Sequence, residues 1–103
     1  MSKKNNKIRR GARDEDCTVN VVGVCNYNPA TTVLAHIQLP GCGIMGGKVN
    51  DLSGCYACSD CHDFIDRRNG MDKHPEQAHR LEYMLKGVIN TKIRQVEQGL
   101  LGG

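Results

Sequence analysis

The stretch CSDC, residues 58–61, constrains this chain more than any other. Two thiols three residues apart at the mouth of a helix leave one sulfur in a turn and put the other on the first helical turn. Both can then face one ion. Two ligands do not close a tetrahedral zinc site, so the fold must bring back two more. Cys17 and Cys25 bracket a short β-branched element, CTVNVVGVC, able to return both sulfurs to one point. A knuckle joined to a helix-capping CxxC is the treble-clef way of holding zinc. Cys55 forms an overlapping CxxC with Cys58, but along an extended strand residues 55 and 58 project to opposite faces. Cys42, in a Gly-rich loop, is left spare. The expected ligand set is therefore Cys17, Cys25, Cys58 and Cys61, and reduced core cysteines without metal are the plain alternative.

A staple of this kind is needed. The chain has 103 residues, one Phe, three Tyr, no Trp and 12 Gly, which leaves little bulk for a core. The opening MSKKNNKIRRGARDED contains no apolar run of the kind a secretory signal requires. No stretch approaches the ~20 apolar residues of a membrane span. The expectation is a cytoplasmic protein with reduced thiols, in which clustered cysteines hold metal. A disulfide-stapled extracellular fragment is the competing reading.

Three parts are expected. Residues 1–13 carry six of the fourteen basic residues and no hydrophobic periodicity, and read as a disordered basic arm suited to phosphates. Residues 14–73 form the metal-bound core. Within it, 17–25 reads as a strand or two extended pieces around Gly23, and 32–39 as the clearest strand. Residues 40–51 read as an irregular Gly-rich loop and 52–58 as a short extended piece. A helix capped by Ser59 or Asp60 then runs to Asn69-Gly70. Residues 74–99 read as one long helix packing on the core, with Pro75 at its first position and Gly99 at its stop. Its apolar face is Ala78, Leu81, Leu85, Val88 and Val96, flanked by Met84 and Ile89. Gly87 weakens it by roughly 1 kcal/mol relative to Ala. Strands first and helices last make the fold class α+β. Pairing of the long helix with a second copy, giving a homodimer, is the other way to cover its stripe.

His62 follows Cys61 and points about 100° further round the helix, away from the sulfur site. Asp66 lies four residues on, on the same face, and the pair supplies two donors for a divalent ion. A surface His–Asp pair is the bland reading. His36 sits near the end of the best strand, where a histidine is more often a satisfied core residue.

Together these pieces resemble the ββα-metal (HNH-like) nucleases. GVCNYNP, TTVLAHI, the Gly-rich loop with Lys48 and Asp51, and ACSDCHDFIDRR resemble, more closely still, a family of small prophage-encoded nucleases. The resemblance spans roughly residues 8–99. It implies that Cys17, Cys25, Cys58 and Cys61 bind structural Zn²⁺. His36 would be the general base, His62 the helix metal ligand, and Asn50 a weak match to the loop residue that orients the base. Position 35 is Ala, where many such enzymes carry an Asp that binds the catalytic metal; Asp66 or Asp51 would have to substitute. The implied function is a metal-dependent endonuclease acting on DNA in a bacterial host cell, with Mg²⁺ or Mn²⁺ held by His62 and Asp66. Lys48, Arg67 and Arg68 would contact phosphates. The alternative is a non-catalytic zinc domain that binds nucleic acid or a protein partner, a reading that Ala35 favours.

Overall fold

The computed structural model describes residues 8–37 and 51–101, with the backbone of 44–45 and 48–49. Cys42, Asn50 and the side chain of Lys48 lie outside the described residues. The central sheet pairs β1 (Val33–His36) antiparallel with β4 (Gly54–Ala57), placing Leu34 opposite Tyr56 and His36 opposite Gly54. The connection between them holds β2 (Ile44–Met45), β3 (Lys48–Val49) and a 3-10 turn, Asp51–Ser53. This connection thus carries a small antiparallel pair where the glycine content predicts an irregular loop. α1 (Ser59–Asp66) starts one residue after β4, and α2 (Arg80–Glu97) closes the fold. The architecture is α+β, with β1, β4 and α1 in strand–strand–helix order.

The segment 17–25 is not a strand. Val24 N and Cys25 N both donate to Val21 O, a turn that folds the segment back on itself. Val19 and Val21 enter the core fully buried. β-branched residues here serve burial rather than pairing. In α1 the capping residue is Cys58, whose Sγ accepts from Cys61 N at 3.4 Å; Ser59 and Asp60 are already helical. The helix ends at Asp66, earlier than Asn69-Gly70 suggests, because Arg67 turns left-handed (φ 58°, ψ 36°).

The long C-terminal element is two pieces. Pro75 opens a 3-10 turn, Pro75–His79, whose start is capped by His74 Nδ1 accepting from Glu76 N at 3.1 Å. The α-helix begins only at Arg80, and Gly99 (φ +76°) stops it. Gln77 Nε2 and Arg80 Nε each donate at 2.8 Å to carbonyls at the end of α1, Phe64 O and Ile65 O. Those bonds satisfy orphan acceptors of α1 and tie the approach to α2 onto it.

α2 keeps only part of the apolar stripe read in its sequence inward: Met84 is buried and Val88 packs on the core, but Leu81, Leu85 and Val96 do not. Its buried residues are Met84, Gly87, Thr91 and Gln95, whereas Leu81, Leu85, Ile89, Ile93 and Val96 are each about half exposed or more. The reason lies in β4. The outer edge of Tyr56 has no strand beside it: Thr91 Oγ1 accepts from Tyr56 N at 2.8 Å, and Thr18 Oγ1 donates to Tyr56 O at 2.8 Å. The two hydroxyls are themselves 3.0 Å apart. A buried strand edge needs polar partners, so the polar face of α2 goes inward. Gly87 makes the close approach possible, since a Cβ there would stand 2.9 Å from Val19 Cγ2 and 3.3 Å from Cys55 Cβ.

Residues 8–13 form a helical turn rather than a free arm, with Ala12 buried in a small cluster with Leu34 and Tyr56. Gln98 bridges this turn to β4, its Nε2 donating to Gly11 O and its Oε1 accepting from Tyr56 Oη. Arg94 makes a two-nitrogen pair with Glu15. Among the described residues no helix is long and apolar enough to cross a membrane.

Candidate metal cluster and active-site cleft

The sulfurs of Cys17, Cys25, Cys58 and Cys61 all lie within 4.8 Å of one another, and this cluster could hold a metal ion. Cys25 and Cys58 are 3.9 Å apart; a tetrahedral site with Zn–S near 2.3 Å has sulfurs ~3.8 Å apart. Backbone N–H groups already point at two of the sulfurs, Asn20 N at Cys17 and Cys61 N at Cys58. That is how a turn stabilises thiolates. The four thiols cannot all ionise unaided. Cys17 is lowered to about 5, chiefly by its hydrogen bond with Cys61, and Cys61 is raised by the same contact. Cys25 is pushed up to about 11, mainly by burial and then by the neighbouring thiolates. A bound dication removes that mutual repulsion. The five described cysteines are free thiols. Cys55 stands outside the cluster, fully buried at the crossing with Gly87, and burial pushes its thiol up to about 12.

On the next residue the chain faces elsewhere. His62 is partly exposed, its Nε2 3.1 Å from Asp66 Oδ2, and Arg68 approaches the same oxygen at 3.4 Å. His62 and Asp66 are thus brought together as the i, i+4 spacing requires.

His36 closes β1 beside the 3-10 turn that carries Asp51. Its Nε2 lies 2.7 Å from Asp51 Oδ1. A carboxylate only accepts, so Nε2 donates to Asp51, and in the neutral imidazole Nδ1 is the nitrogen with the free lone pair. The side chain of Asp51 is 2% exposed, and the same oxygen takes Arg9 Nε at 3.2 Å. Its other oxygen is buried with no partner among the described residues. Asp51 is therefore occupied with His36 and Arg9, which leaves Asp66 as the carboxylate beside His62.

His36 and Asp66 line one cleft of about 1080 Å³, with Arg67, Arg68, His79 and Arg80. Arg67 holds its left-handed backbone at a helix end where Gly or Asn is usual, at a cost of ~1 kcal/mol. Burial, and then the nearby Arg67, lower the basicity of Arg80. His79 and Arg80 carry no signal of a site in the sequence, where nothing in HPEQAHR marks a cleft wall, whereas Arg9 belongs to the basic arm expected to meet phosphates.

The chain is similar to known proteins over nearly its full length. The family described as "Putative nuclease YbcO" matches residues 6–100. The "Putative nuclease YbcO" of Escherichia coli (strain K12) is 40% identical over 94 residues, 91% of this chain and 95% of that protein. The "Putative nuclease ybcO" of Enterobacteria phage 82 matches to the same extent. A solved structure, described as "Structure of a putative bacteriophage protein from Escherichia coli str. K-12 substr. MG1655", superposes with a TM-score of 0.73 at 38% identity, covering 90% of this chain and 100% of that one. This chain belongs to the YbcO nuclease family.

Proposed function

We propose that the chain is a metal-dependent endonuclease of the HNH-like, ββα-metal type that hydrolyses DNA phosphodiester bonds in phage or prophage DNA metabolism. The observation that carries this is the strand-borne imidazole of His36, held through Nε2 by a buried carboxylate on the wall of an arginine-lined cleft. With Nε2–H committed to Asp51, Nδ1 is the atom that accepts a proton from an attacking water. Asp51 keeps the imidazole in that tautomer and offsets the positive charge it acquires. Arg67 and Arg68 orient the phosphate by charge-assisted hydrogen bonds, and the family resemblance implies the same role for Lys48.

His62 and Asp66 are the residues that would hold a catalytic Mg²⁺ or Mn²⁺. Such an ion supplies charge neutralisation at the leaving oxygen. The four cysteines, fully coordinating and without an open position, hold structural Zn²⁺ in a treble-clef arrangement on this reading.

The test is nicking of supercoiled plasmid and of branched and single-stranded DNA with Mg²⁺ or Mn²⁺. Wild-type protein cuts and His36→Ala does not. Equal products from the two proteins, or none from either, would remove the proposal. Ala35 and the contact of Arg68 with Asp66 favour the second reading, a non-catalytic zinc domain that binds nucleic acid. Under it, DNA binding is unchanged by His36→Ala and indifferent to Mg²⁺.

A further inference from the structure

The cleft beside His36 holds more positive charge than its own carboxylates balance. Asp66 is engaged by His62 and Arg68, and Glu82 by His79. Among the described residues Arg67 and Arg80 have no carboxylate within ion-pair distance, yet both line the cleft, where burial and then the Arg67 charge lower the basicity of Arg80 and Asp66 opposes them less strongly. Two guanidiniums in one cleft, only partly offset by Asp66, repel each other, and an anion between them relieves that repulsion.

The backbone points the same way. Arg67 keeps a left-handed conformation at the C-terminus of α1 that Gly would adopt without strain. Folding alone would be better served by another residue there, so the side chain is what the position gains. Among the described residues Arg80 is anchored through one nitrogen: Nε donates to Ile65 O. That bond orients the guanidinium plane and leaves the two terminal nitrogens to serve as a fork. A planar fork beside a second guanidinium is the geometry that recognises two oxygens of one phosphate.

We infer that Arg80 joins Arg67, already assigned a phosphate contact above, to form a clamp for a backbone phosphate of the nucleic acid in the same cleft as His36. The occupant rests on the nuclease reading; the clamp itself does not require that the strand be cut. The C-terminal helix thereby contributes a binding residue from outside the strand–strand–helix core.

The decisive measurement is fluorescence anisotropy of a short labelled duplex and of a labelled single strand, titrated in EDTA over a salt series so that nothing is cleaved. Removing one phosphate contact lowers the slope of log Kd against log salt by about one. Arg67→Gly is expected to weaken binding several-fold and flatten the slope by that amount, while its melting temperature rises. Arg80→Gln is expected to do the same to binding. Lys73→Gln, an exposed lysine outside the cleft, keeps the wild-type slope. The clamp is overturned if Arg67→Gly binds like wild type, if Lys73→Gln flattens the slope equally, or if the wild-type protein binds neither strand form. A wild-type protein that binds with the expected slopes and nicks nothing sinks the nuclease reading and leaves the clamp standing.

Discussion

His36 Nε2 lies 2.7 Å from a carboxylate oxygen of Asp51 that solvent hardly reaches. The hydrogen bond joins a strand end to a 3-10 turn 15 positions away, and it decides which imidazole nitrogen is basic.

Removing either partner should therefore slow cleavage to different degrees. His36→Ala deletes the proposed base and is expected to lower kcat by about 10²–10⁴, the usual worth of general base catalysis. Asp51→Asn keeps the shape but offers His36 an amide instead of a carboxylate, so the tautomer is no longer enforced and the loss should be smaller, roughly tenfold or more. Single-turnover rates on plasmid DNA measure both. Equal activity of Asp51→Asn and wild type would show that Asp51 only buttresses the turn.

Metal removal should unfold the protein rather than merely inactivate it. The core has one Phe and no Trp, and a structural zinc contributes ~10–16 kcal/mol of folding free energy in small domains. Elemental analysis is expected to give one tightly held zinc per chain. Cys58→Ser and Cys61→Ser should lose that zinc together with the folded near-UV signal, and Cys55→Ser should retain both. Zinc retained by Cys61→Ser would mean a different ligand set.

Gly87→Ala reverses the usual helix rule. Alanine favours an exposed helix interior by ~1 kcal/mol over glycine. Here its methyl would stand 2.9 Å from Val19 Cγ2 and crowd Cys55, and overpacking of that kind costs ~1–3 kcal/mol. A net loss is expected in urea unfolding; a gain would show that α2 can shift away from β4 at no cost.

The buried thiol of Cys55 should shape alkaline stability. Its pKa is raised from 9.0 to about 12, chiefly by burial. Above pH 9 the unfolded chain releases this proton while the folded chain holds it. Stability from this group is thus full below pH 9 and falls as pH rises toward 12, at about 1.4 kcal/mol per pH unit for one proton. In zinc-loaded protein, Cys55→Ala should flatten the slope of unfolding free energy against pH by about one proton across that window. An unchanged slope would place the thiol in contact with solvent.

Much of the site could be read from local spacing. CxxC at a helix start, His62 beside Cys61 and Asp66 one turn later depend only on helix geometry, and the strand ending at His36 is short and β-branched. What could not be read depends on contacts distant in sequence. The sequence offers Asp51 only as a substitute for Asp66 at the metal, and its bond to His36 arises from the turn that follows β3. Periodicity counts apolar residues, so it finds Met84 and Val88 on the inward face of α2 but not Thr91 and Gln95, which are buried against β4. The turn at 8–13 was read as an arm because a single buried alanine, Ala12, gives no periodic signal. Arg67 looked like an ordinary charged helix end, and only its backbone angles mark it as unusual.

The two hydroxyls that stop the outer edge of β4 have a consequence for assembly. With Tyr56 N and O both taken by Thr91 and Thr18, that side of the sheet offers no ladder for an incoming extended peptide. Strand addition at Tyr56, the middle of that margin, is closed to other molecules.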